Sequence, residues 1–274
     1  MEPRLTEVQR MPSGRPRLSA IAVALAVAII ILAIMLPPSS LLGKADVVGY
    51  AICHRIPERS FSFNGRPLPL CARCTGTFLG ATLGLSAMLV YGRRRESQLP
   101  PIPVLGMLVL FMGFWGFDGL NSYLTFFPGA PHLYEPRNWL RLTTGLLNGL
   151  ALITFVFPIF NFTMWRAPTG EKVLKNVWEL LVLLPVVALL VLVIPSGFGP
   201  LLYPLALISS LGVVMMLTIL NSMIAVLILD REGYARTFLQ ALIPLTVGFA
   251  LAILEMAALV LLRAYLTTSL GLTF

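Results

Sequence analysis

All three cysteines of this 274-residue chain, and one of its two histidines, lie between positions 53 and 74. Cys53-His54 opens the segment and Cys71-Ala72-Arg73-Cys74 closes it, with Glu58 and the arginines Arg55, Arg59, Arg66 and Arg73 interleaved. Two thiolates one helical turn apart can reach a single tetrahedral ion. The same pair can instead cycle between dithiol and disulfide, or stand as a static disulfide. Cys53-His54, eighteen residues before Cys71, tips the reading toward a metal. Cys53, Cys71 and Cys74 make three ligands without contortion. Cys53 and His54 are adjacent and point apart in an extended chain, so His54 joins the same ion only through a turn. The fourth position falls to His54, His132, a carboxylate or water. Thiolate and imidazole suit zinc first, with iron or copper(I) as alternatives.

The rest of the chain must hold this segment at a membrane. It is 57% hydrophobic and only 12% charged, with a mean hydropathy of +0.87. Those values describe a polytopic membrane protein rather than a soluble one. A span needs about 20 mostly apolar residues, and runs of that kind occur at 18–36, 74–92, 102–127, 139–163, 176–195, 201–229 and 236–262. An all-α bundle of about seven transmembrane helices follows. Arg15 and Arg17 precede the first run as in a signal peptide. The run is too long for that, and Pro37-Pro38-Ser39-Ser40 is a poor cleavage site, so it reads as an anchored span. Residues 1–16 are expected to be a disordered basic cytoplasmic tail, and 17–274 a single bundle with an external loop at 37–73. Within that loop Ser60-Phe61-Ser62-Phe63 alternates and Asn64-Gly65 is a hairpin-turn dipeptide.

The net charge of +8 reports orientation rather than nucleic-acid binding. Short basic stretches such as Arg93-Arg94-Arg95 predict a cytoplasmic N-terminus and an external C-terminus, with the cysteine loop outside and the lipid bilayer as the main partner. Small residues recur at packing intervals: Gly76, Gly80 and Gly84 in the second run, Gly145 and Gly149 in the fourth. Such stripes let helices approach closely in lipid, and here they would give Cys71 and Cys74 a rigid support. Asp118, Arg141, Asn148 and Glu255 fall at similar depth beneath the cysteine loop, where ionisable groups face a bundle interior or a wet cavity. Asp118 and Arg141 are expected to pair. Asp118, Arg141 and Glu255 are the candidate catalytic set lining a polar cavity, while Asn221 reads as lying at the inner end, apart from it.

Cys53-His54, Pro57-Glu58-Arg59-Ser60, Gly65, Pro69-Leu70-Cys71-Ala72-Arg73-Cys74-Thr75-Gly76 and Asp118-Gly119 together resemble a family of prokaryotic integral membrane proteins, domain of unknown function 2085. The likeness continues at Asn138, Arg141, Thr144 and Gly145 and covers about residues 50–150. Where that family often has Gln after the Cys-His pair, this chain has Arg55. The resemblance implies a shared outer-face site and carries no activity with it. Three functional classes remain. The leading one is a metal site of Cys53, Cys71, Cys74 and His54, with a metal-activated water acting on a lipid-linked or anionic substrate held by Arg59, Arg73 and Asn138. The second is a thiol–disulfide oxidoreductase using Cys71 and Cys74, and the third an anion transporter or binding protein.

Overall fold

A computed structural model describes residues 16–127 and 129–271. Of the predicted tail at 1–16, residues 1–15 lie outside the described residues, while Pro16 begins the first helix, a position where its missing N–H costs nothing. The described helices are α1 (Pro16–Met35), α2 (Leu41–Ile52), α3 (Ala72–Val90), α4 (Ile102–Leu124), α5 (Asn138–Met164), α6 (Val177–Leu181), α7 (Leu184–Val193), α8 (Leu202–Ile228) and α9 (Phe238–Leu270). The fold is the expected all-α polytopic bundle. Among the described residues six helical stretches are long and apolar enough to cross a membrane, and α1 contributes a shorter apolar stretch at Ser19–Met35.

Two expectations change in detail. The run at 176–195 is divided between α6 and α7, with a proline in the first turn of α7. That is where a missing N–H is tolerated and a continuous helix is not. The loop at 37–73 is also more ordered than its sequence suggested. Ser40 caps α2 by accepting the Gly43 N–H at 3.1 Å, and α2 packs against α8 and α9. The Asn64-Gly65 turn does join a short hairpin, β1 (Ser62–Phe63) and β2 (Arg66–Pro67), with both turn residues at positive φ.

The centre of the bundle is the α3–α5 pair. Gly76 and Gly80 of α3 face α5 so closely that a Cβ on either would strike the carbonyl oxygen of Leu142 or Leu146. Gly145 and Gly149 of α5 return the arrangement against the carbonyls of Arg73 and Thr77. The glycine stripes are therefore two halves of one backbone-to-backbone contact. Around this pair α4 packs on α5, α8 on α3 and α9, and α1 on α9.

Contacts between the connecting segments gather at two separate ends of the bundle. One gathers the end of α2, the β1–β2 hairpin, the start of α3 and the loop before α5. At the other end β3 (Glu96–Gln98) pairs in parallel with β4 (Thr169–Lys172), and Trp165 bridges to Ala235. Arg95 there stacks on Trp165 at 4.5 Å and donates to the Arg236 carbonyl at 3.0 Å.

Candidate metal centre and its arginine network

Cys53 is the residue on which α2 ends, its N–H closing onto the Gly49 carbonyl at 2.9 Å. Cys71 is the N-cap of α3 in extended conformation, and Cys74 follows in the first turn. Gly49 lets the two segments meet, since a Cβ there would collide with the Pro69 carbonyl just ahead of Cys71. The Cys71 N–H donates to Cys53 Sγ at 3.2 Å. The three sulfurs all lie within 4.8 Å of one another, and all three thiols are free. Cys53 and Cys71 are buried, and Cys74 is half-buried.

S–H donation from Cys71, then from Cys74, holds Cys53 far below the ordinary thiol range, against the opposing effect of burial. The same bond pushes Cys71 up, to about 11, because it is the donor to Cys53. A helix N-terminus and nearby arginines favour negative charge at this position.

His54 is not part of the sulfur cluster. Its Nδ1 accepts the Ile56 N–H at 3.0 Å, and the ring lies exposed on a cavity wall. The extended geometry at Cys53 (φ −127°, ψ 143°) turns the two adjacent side chains apart. The expectation of His54 as a fourth member is corrected accordingly: among the described residues the cluster consists of Cys53, Cys71 and Cys74. Partial desolvation by the surrounding protein, the first cause, and the nearby arginine charges hold its imidazole below the ordinary value.

Below the cysteines Asp118 is 1% exposed. Its partner is Arg73, which bonds both a carboxylate oxygen and, at 3.1 Å, the Asp118 carbonyl. The expected Asp118–Arg141 ion pair does not form. Asp118 and Ser122 are four residues apart on one face of α4; Asp118 meets Arg73 of α3 and Ser122 meets Arg141 of α5. The Arg141 guanidinium is occupied by Ser122 Oγ at 2.9 and 3.2 Å and by Asn138 Oδ1 at 2.7 Å. Asn138 in turn donates to the Glu58 carbonyl at 3.0 Å. Arg59 donates to the Ser122 carbonyl and Thr125 Oγ1, both at 3.2 Å, and stacks over Phe126 at 3.8 Å. Arg59, Arg73, Asn138, Arg141 and Asp118 thus form one network joining the cysteine loop to α3, α4 and α5. Arg73 Nε is buried with no hydrogen-bond partner.

Sequence reasoning missed three members. Tyr134 Oη donates to Asp118 at 2.9 Å, and its hydroxyl is pushed up to about 12 by burial and then by that carboxylate. Asn121 pins the loop before α5, donating to the Tyr134 carbonyl at 2.9 Å and accepting the Leu133 N–H at 2.7 Å. Ser122 holds Arg141 as described. The signal was present, since Asn121 and Ser122 follow Asp118 by three and four residues.

Glu255 does not line a cavity under the cysteines. Met256 belongs to the buried cluster that contains Cys53 and Cys71, while Glu255 is exposed and accepts from Asn221 Nδ2 at 3.0 Å. Asn221, read as unrelated to the intramembrane charges, is therefore the partner of one of them. His132 is likewise apart from the sulfur cluster; it bonds Glu135 at 3.0 Å, which raises its imidazole above the ordinary value.

Residues 53–155 match the profile of a family described as predicted membrane protein (DUF2085). The match begins at Cys53 and spans the cysteine cluster, Asp118 and the arginine network. An uncharacterised protein of Methanothermobacter thermautotrophicus is 39% identical over 103 residues, covering 37% of this chain and 80% of the relative. An uncharacterised protein of Methanocaldococcus jannaschii is 30% identical over 109 residues, covering 40% of this chain and 64% of that relative. No solved structure matches the chain.

Proposed function

From the premise that the chain belongs to the predicted membrane protein family DUF2085, we propose that its cysteine cluster is a metal centre at the outer membrane surface, serving an anionic or lipid-linked substrate. The observation that carries this reading is the convergence of Cys53, Cys71 and Cys74 from two separate chain segments to within 4.8 Å. Three thiolates are the soft ligands that zinc takes, and a three-protein-ligand site keeps a fourth position for water or substrate. Iron and copper(I) suit the same donors. An ion bound there would act as a Lewis acid and lower the pKa of a bound water.

The charges support this. Three thiolates around a divalent ion carry a net charge of −1. Arg59, Arg73 and Arg141 stand against the single carboxylate Asp118, an excess that balances such a centre and leaves cationic character for a substrate anion. In this reading Arg59, Arg73 and Asn138 would receive a phosphate or carboxylate, with Arg141 and Asp118 holding them in position. The oxidoreductase reading uses Cys71 and Cys74 and leaves Cys53 without a redox partner.

Metal content and thiol titration decide between the two. Protein purified without chelators is expected to hold about one metal ion per chain, the count a tetrahedral thiolate site implies. Cys53→Ser, Cys71→Ser and Cys74→Ser should each lose most of it, and chelation should expose all three thiols. A redox pair would instead be metal-free, change by two thiols on reduction, and leave metal content indifferent to Cys53→Ser.

Sidedness is tested separately. With the N-terminus cytoplasmic, a cysteine at Ser196 should react with an impermeant thiol reagent in intact cells. A cysteine at Thr169, exposed at the opposite end of the bundle, should react only after lysis. The reverse pattern would place the cysteine cluster in the cytoplasm.

A further inference from the structure

Beside the sulfur cluster is a cavity of about 240 Å³ lined by Tyr50, His54, Arg55, Pro67, Leu68 and Arg263. It shares no residue with the arginine network around Asp118. We propose that it binds a phosphate group at the membrane surface, either as a lipid headgroup or as a free anion.

Its polar lining is built of cations and donors. Arg263, near the end of α9, donates to the carbonyls of Tyr50 at 2.8 Å, Cys53 at 2.6 Å and His54 at 3.3 Å, and stacks over the Tyr50 ring at 4.3 Å. A guanidinium at the carbonyl end of α2 is where a helix favours positive charge, and it fixes the cavity wall. His54 Nδ1 is taken up as acceptor of the Ile56 N–H, so a neutral imidazole carries its proton on Nε2 and offers a donor there. Arg55 sits at φ +53°, a left-handed conformation uncommon for a residue with a side chain. Its guanidinium bonds Asp46 at 3.0 Å, and Arg66 takes the other oxygen of the same carboxylate at 2.8 Å. Two arginines therefore share one carboxylate, and no carboxylate is among the described residues lining the cavity. Guanidinium forks and an imidazole N–H are the donor set for phosphate oxygens. Pro67, Leu68 and the Tyr50 ring form an apolar wall suited to the carbon skeleton next to that phosphate.

This reading does not rest on the metal and fails or stands independently of it. The chain has only two histidines, so His132→Asn leaves His54 as the single imidazole reporter. Its ring resonances are followed by NMR at constant pH in uncharged detergent, during titration with inorganic phosphate in one arm and with phosphatidylglycerol in the other. A saturable shift in either arm supports the site and names the source of the phosphate. Arg55→Gln should then weaken binding by roughly tenfold or more, the loss of a charge-assisted hydrogen bond. Asp46→Asn should tighten it by releasing Arg55, whereas Arg94→Gln, on an exposed residue at the other end of the bundle, should leave it unchanged. Absence of a shift in both arms would overturn the proposal. So would affinity that falls equally in the Arg55 and Arg94 variants, or that falls with Asp46→Asn.

Discussion

Asp118→Asn should destabilise the protein by about 3–5 kcal/mol, the range seen when one partner of a buried ion pair is removed. The carboxylate is 1% exposed and receives Arg73, Tyr134 and, at 3.5 Å, Thr144. Removing its charge leaves the half-buried Arg73 beside Arg59 and Arg141 without compensation. Arg73→Gln should cost a similar amount for the converse reason. The double variant should lose clearly less than the sum, because each single change already breaks the pair. Arg141→Gln combined with Asp118→Asn should come much closer to additivity, as Arg141 spends its hydrogen bonds on Ser122 and Asn138. Unfolding in detergent, followed by circular dichroism, measures all of these. Strong coupling to Arg141 with none to Arg73 would show that the guanidiniums are exchanged.

The glycine contact between α3 and α5 should be equally intolerant. Gly80→Leu places a branched side chain where even a Cβ meets the Leu146 carbonyl, and Gly149→Leu does the same against Thr77. Neither obstacle is a flexible side chain that can rotate away. Overpacking of this kind costs about 1–3 kcal/mol and more when backbone must shift; two backbones forced apart belong at the upper end. Because α3 carries Cys71 and Cys74 while α2 carries Cys53, the same variants should also lower metal content. Gly116→Ala on α4 is the control, since a Cβ there meets nothing within 4 Å. It should leave thermal stability and metal content unchanged. Equal tolerance at Gly80 and Gly116 would mean that the helices do not approach as described.

The residues that were legible in sequence are those whose signal is local or periodic. Apolar runs mark the spans, glycines at four-residue intervals mark the α3–α5 contact, and Asn64-Gly65 marks the hairpin. Cys71 and Cys74 at the start of a helix could be read for the same reason. The helix α2 could not, because at twelve residues with Gly43, Lys44, Asp46 and Gly49 within it, it carries neither a spanning run nor a clean amphipathic stripe. Pairing within the membrane was the other failure. Depth follows from residue counting, and on depth Asp118 and Arg141 are neighbours. Which groups touch depends on rotation about each helix axis, and that rotation gave Asp118 to Arg73 and Arg141 to Ser122. The same rotation turns Met256 of α9 inward and Glu255 outward to Asn221. His54 failed for a backbone reason visible in advance, since its neighbour Cys53 already points the other way.

The central claim is that Cys53, Cys71 and Cys74 bind one ion together. X-ray absorption spectroscopy at the metal edge of protein purified from the membrane without chelators tests it most directly. Zinc should show three sulfur neighbours at about 2.3 Å and one lighter atom at about 2.0–2.1 Å, with a sulfur lost in each of the three cysteine-to-serine variants that still retains metal. Metal-free protein with Cys71 and Cys74 joined as a disulfide, or a bound metal with no sulfur around it, would contradict the account.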